Sequence, residues 1–76
     1  MADWSWCSQQ PDEPMPGWHK SLARSAPSMV CWERDGGTAA IYLVQGEGEY
    51  TAADRGGWVD GLYDSFAEAA AACASR

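Results

Sequence analysis

The amino-acid sequence predicts an α+β domain, a three- to four-stranded antiparallel sheet with one C-terminal helix packed on a face. Three observations carry that expectation. Two runs rich in strand formers, Ser28 to Arg34 and Ala39 to Gln45, flank the turn residues Asp35-Gly36-Gly37. An Ala-rich segment opens with Ser65-Phe66-Ala67-Glu68, a helix-capping pattern. The whole chain is 76 residues long, room for a single domain over 1–76. A chain of this size removes only about 60% of its unfolded surface from water, so its interior must be thin.

Residues 1–18 form a Trp- and Pro-rich N-terminal arm. Trp4, Trp6 and Trp18 bracket a stretch holding Pro11, Pro14 and Pro16. Three prolines exclude one continuous helix and disfavour a central strand. Trp4, Trp6 and Ser8 alternate as in a short edge strand, with a polyproline-like segment after it. The tryptophans either cover the small core or form a partner-binding aromatic arm. Ser21 to Arg24 fits one helical turn, which Pro27 ends.

The sheet is expected over 28–63. Gly46-Glu47-Gly48 supplies a second turn, before a short strand around Glu49 to Ala52. Asp54-Arg55-Gly56-Gly57 supplies a third, before a strand from Trp58 to Tyr63. Gly61 weakens that last strand and marks a bulge or a close backbone approach. The helix is expected over 65–75. Ser65 caps it, Glu68 reaches back, and Asp64 adds negative charge at the positive end of its dipole. Phe66, Ala69, Ala70 and Cys73 recur at helical spacing and define its apolar face.

The formal charge is −6, with 11 Asp and Glu against 5 Lys and Arg. Nonspecific nucleic-acid binding, which relies on cations at phosphates, does not fit that balance. The chain begins Met1-Ala2-Asp3-Trp4, without a basic start or apolar stretch, and its apolar runs fall far short of the ~20 residues that span a bilayer. A cytoplasmic protein with reduced thiols at Cys7, Cys31 and Cys73 is the expectation. With His19 these thiols could complete a zinc site, but no Cys-x-x-Cys pair exists to pre-orient two ligands. Buried structural thiols are expected instead, and no metal or other cofactor.

No catalytic grouping stands out. His19 is the sole imidazole and sits in a Pro-flanked loop, and the acids fall mostly at turns and strand ends. Gly46-Glu47-Gly48-Glu49 puts carboxylates where a phosphate loop needs bare amides. A non-enzymatic protein is therefore expected. Charge is segregated along the chain: residues 45–68 carry Glu47, Glu49, Asp54, Asp60, Asp64 and Glu68 against Arg55 alone, while 17–34 is mildly basic. Such a cluster is either a solvated face that maintains solubility or an acidic patch that docks on a basic groove.

The segment from Gly56 to Ala70, Gly-Gly-Trp-Val-Asp-Gly-Leu-Tyr-Asp-Ser-Phe-Ala-Glu-Ala-Ala, resembles the strand-to-helix ending of many short phage and prophage proteins. In size, charge and α+β make-up the chain resembles the anti-CRISPR proteins among them. That resemblance implies an inhibitor in a bacterial host cell, occupying a nucleic-acid-binding groove on a CRISPR–Cas effector subunit as a DNA mimic. Glu47, Glu49, Asp54, Asp60 and Asp64 are the expected contact face, with Trp58 or an N-terminal Trp as apolar anchor. The expected partner is thus a host protein, with neither nucleic acid nor membrane contacted directly. The alternative is a structural module that forms a homodimer through sheet edge and aromatic residues.

Overall fold

Short glycine-bearing turns between strand-forming runs favour a meander, and the structure, a computed structural model, takes that form. It describes residues 3–37, 39–54 and 57–74, apart from the Asp60 side chain. Strands β1 (Trp18–Lys20), β2 (Met29–Arg34), β3 (Ala39–Val44), β4 (Tyr50–Asp54) and β5 (Gly57–Tyr63) pair antiparallel in that order in one sheet. Helix α1 (Ser5–Gln9) precedes the sheet, and helix α2 (Phe66–Ala74) follows it. The α+β class is as the sequence predicts, but the sheet has five strands instead of three or four. The extra strand is β1. Gly17, at φ 87°, turns the chain so that Trp18, His19 and Lys20 pair with Arg34, Glu33 and Trp32. Three residues are too few to announce a strand in the sequence.

The β2–β3 hairpin forms as expected, with Gly36 and Gly37 at φ 91° and 68°, a region that favours glycine. Gly61, at φ 107°, lies where the β4–β5 register shifts: Tyr50 faces Tyr63 while Ala52 faces Val59. Two steps on β4 thus oppose four on β5, a bulge that only the backbone of Gly61 takes without strain. Arg55 and Gly56 of the third turn, and residue 75 of the expected helix, lie outside the described residues.

Strand alternation sends Trp18, Val30, Trp32, Ile41, Ala52 and Val59 to one face, where α2 lies. Phe66, Ala69, Ala70 and Cys73, the face predicted for α2, are its buried residues. Their small side chains let the helix approach closely, and Phe66 fills the space that remains. Its ring meets Trp18 and Trp32 edge-on at 5.3 Å and Tyr50 at 6.2 Å. The cap forms too. Ser65 Oγ accepts the Glu68 amide at 3.2 Å, and Glu68 reaches back to the amide of Asp64, one residue before the cap.

The N-terminal arm departs from its expected edge strand: residues 5–9 are helical. A five-residue helix does not persist alone. This one is held at both ends by side chains. Asp3 Oδ1 accepts the Ser5 amide at 2.9 Å and the Ser5 hydroxyl, and these bonds hold its carboxyl below the usual carboxylate range. At the other end Lys20, 8% exposed, donates through Nζ to the carbonyls of Cys7 (3.1 Å), Ser8 (3.4 Å) and Gln10 (3.0 Å) and to Asp12 (3.1 Å). Cations suit helix C-termini because the last carbonyls are orphaned and negative. The arm then runs along the outer edge of β1, where Asp12 O accepts the Lys20 amide at 2.8 Å and Pro11 O accepts the Trp32 indole N–H at 2.8 Å. Cys7 and Trp18 are core, Trp6 packs against it, and Trp4 stays exposed.

Candidate protein-binding surface

Among the described residues, no α-helix lies over the opposite face of the sheet. Register places Met29, Cys31, Glu33, Ala40, Tyr42, Val44, Thr51, Ala53 and Trp58 there, and alternation from the inward-facing Tyr63 adds Leu62. Cys31 and Ala40 are buried yet lie outside the main core cluster. What covers Cys31 is local. A 3-10 turn, Leu22–Arg24, follows β1 and folds against β2. There Ser25 Oγ accepts the Cys31 amide at 2.9 Å, and Arg24 Nε pairs with Glu33 at 3.2 Å. The turn expected at Ser21 to Arg24 is thus present. Burial pushes the Cys31 thiol up in pKa, partly offset by a hydrogen bond from Tyr42. Burial and the neighbouring thiol raise the Tyr42 hydroxyl as well.

Beyond that patch the face is open. Trp58 is 61% exposed, Leu62 64% and Val44 40%, three of the five large apolar side chains exposed among the described residues. The Trp58 ring leans on Tyr42, with centroids 5.3 Å apart and planes at 56°. Beside this pair, a shallow concavity of about 180 Å³ is floored by Ala40 and Ala53 and bounded by Arg24, Gly37 and Tyr42.

The acids expected to act together fall into two groups. Glu47 and Glu49, in the β3–β4 turn, lie at the sheet end where Tyr50 pairs with Tyr63, which brings Asp64 to the same end. Asp54 sits at the far end of β4, four residues or roughly 13 Å away. The register puts Asp54 opposite Ala39 and Gly57, so it shares that end with Asp35 of the β2–β3 turn. Glu47, Glu49 and Asp64 are exposed. Trp58, on the open face, stands nearer the Asp54 end, across from Ala53. Asp60 lies in β5, and its side chain is outside the described residues.

The sequence offered His19 only as a zinc ligand or catalytic base, whereas its ring bridges two carboxylates: Nε2 to Asp35 Oδ1 at 3.0 Å and Nδ1 to Glu13 Oε2 at 3.4 Å. It ties the arm to the β2–β3 turn. Cys7, Cys31 and Cys73 are buried and free. No cluster of three or more His, Cys, Asp or Glu that could hold a metal exists among the described residues, and no helix there is long and apolar enough to cross a membrane. Open Val44 had a signal in the sequence: Ala39 to Val44 is apolar at every position, the pattern of a strand that needs cover on both faces. No protein-family model, curated protein or solved structure matches the chain.

Proposed function

We propose that this chain is a non-enzymatic protein-binding module, an inhibitor of the anti-CRISPR type that covers a basic, nucleic-acid-binding groove of a CRISPR–Cas effector subunit. The observation that carries the reading is the open sheet face, an apolar centre with carboxylates beyond both ends. A specific interface has the same anatomy, a desolvated aromatic centre inside a polar rim. Carboxylates spaced along a surface suit a groove built to hold phosphates, and their charge speeds encounter with it. The sole imidazole, engaged by two carboxylates, and the three buried thiols leave no obvious nucleophile–base pair.

The test is a competition assay with purified effector complexes of the several CRISPR types and labelled target DNA. One complex should lose DNA binding when the protein is added. The triple variant Glu47→Lys, Glu49→Lys, Asp64→Lys should restore it with an unchanged thermal midpoint. Full DNA binding by every complex, or undiminished inhibition by the variant, would remove the proposal.

A homodimer joined along the sheet edge is the second reading, favoured by the outer edge of β5. Its bulge at Gly61 interrupts strand addition, however, and the arm already lines the β1 edge. Sedimentation at micromolar concentration separates the readings, since a stable dimer without any effector interaction would favour assembly.

A further inference from the structure

We propose that the open face docks an extended segment of a basic protein, with two arginines four positions apart, the first stacked on the Tyr42–Trp58 ring pair. This deepens the binding reading above and rests on it. The occupant follows from three features of the face.

Its charge disfavours a second copy. A face-to-face dimer would bring two chains of −6 together with Glu47 and Glu49 at the margin of each. Its size disfavours one too. Five strands about 4.8 Å apart and roughly 17 Å long present only about 400 Å² of flat sheet, half of what one side of a stable interface buries. A single added segment with charged ends suits that area better.

The ring pair selects the first contact. Trp58 keeps most of its surface in water although it is supported by Tyr42 at 5.3 Å. A supported, exposed indole is a platform for a planar cation, and guanidinium stacks on it where ammonium only approaches as a point charge. Arg24 is held at the edge of the pair, its Nε paired with Glu33 and its guanidinium hydrogen-bonded to the Tyr42 hydroxyl.

The acids set the second contact. Trp58 stands across from Ala53, and Glu49 lies four residues before Ala53 on the same chain, roughly 13 Å along the sheet. In an extended segment the residues i and i+4 point the same way and are separated by that distance. An arginine over Trp58 therefore places a second one at Glu47 and Glu49. Apolar side chains between them meet Tyr42, Val44 and Leu62.

The probe is the capped heptapeptide SRTVTRS, titrated into the full-length isotopically labelled protein and followed by NMR. Shifts should concentrate at the Trp58 indole, Tyr42, Val44 and Glu49. Trp58→Ala should weaken binding about tenfold while the thermal midpoint stays put, since the ring is mostly exposed. Trp58→Phe should recover part of that loss. Replacing both arginines by the neutral isostere citrulline should weaken binding further, and replacing them by lysine should weaken it less than citrulline does. Equal affinity of Trp58→Ala, or of the citrulline peptide, would overturn the proposal. So would self-association of the protein that Trp58→Ala abolishes, because the occupant would then be a second copy. The outcome is independent of the DNA competition assay. Peptide binding without inhibition of any effector removes the inhibitor reading alone, and inhibition insensitive to Trp58→Ala removes the stacked arginine alone.

Discussion

The two faces of one sheet have been finished in different ways. On the first, α2 and the N-terminal arm close over Trp18, Val30, Trp32 and Ile41, and Phe66 sits among three aromatic rings. On the second, a 3-10 turn and the Arg24–Glu33 pair shelter Cys31, while Trp58, Leu62 and Val44 face water. The same strands supply both sets of side chains by simple alternation. Apolar character alone therefore does not report stability, and what lies above each residue decides its role. An exposed apolar surface in so small a domain, which has few such groups to spare for its core, is the feature on which the binding proposal rests.

The strongest way to break this contrast is Trp32→Ala. Trp32 is among the largest fully buried side chains, it packs edge-on to Phe66, and its N–H anchors Pro11. Truncating such a residue costs about 3–5 kcal/mol. A domain of this length holds only about 4–11 kcal/mol in total. Near-ultraviolet circular dichroism should lose its tertiary signal at 37 °C, whereas Trp58→Ala should keep it. A cooperative Trp32→Ala melt within a few degrees of the parent would show that the first face is not the stabilising one.

Next in size is Lys20→Met, which keeps the aliphatic stem and removes the ammonium. Three carbonyls at the end of α1 and the Asp12 carboxylate lose their donor. Bonds to a charged donor contribute about 1.5–3 kcal/mol, so a loss of that size is expected. Amide hydrogen exchange should quicken first at residues 7–10, before β2 and β3. Unchanged protection there would mean that Trp6 and Cys7 hold the helix by packing alone.

That lysine also explains where the sequence was silent. The β2–β3 hairpin, the cap at Ser65, the four-residue face of α2 and the bulge at Gly61 are written in local chemistry, and each is where the sequence puts it. Helix α1 is not local. Its sequence alternates like a strand, and its conformation is set by a lysine 10 to 13 residues further on. Strand β1 likewise exists because β2 offers an edge to pair with, and three residues carry no periodicity. The acids were legible as a cluster in sequence, but the meander separates Asp54 from Glu47 and Glu49 by the length of β4. Trp58, one of the tryptophans expected as an anchor, is exposed; apart from Val44, the face around it was not legible, because which residues share a face becomes visible only once the register is known.

The smallest expected effect tests the sheltered corner of the second face through alkaline pH. Burial raises the Cys31 thiol above its ordinary 9.0, and burial with the adjacent thiol raises Tyr42 above 10.0. A group that holds its proton more tightly when folded stabilises the fold fully below its ordinary pKa. That stabilisation drains away as pH rises through the folded value, because the unfolded chain ionises first. The thermal midpoint should therefore hold level through neutral pH and fall from about pH 9 upward. Cys31→Ala should flatten the first part of that fall, and Tyr42→Phe the part above pH 10. Trp58→Ala should leave the part set by Cys31 unchanged and soften only the part above pH 10, because its ring helps cover Tyr42. If Cys31→Ala melts with the parent's pH profile, the turn at Leu22–Arg24 does not exclude water from the thiol, and the second face is open along its whole length.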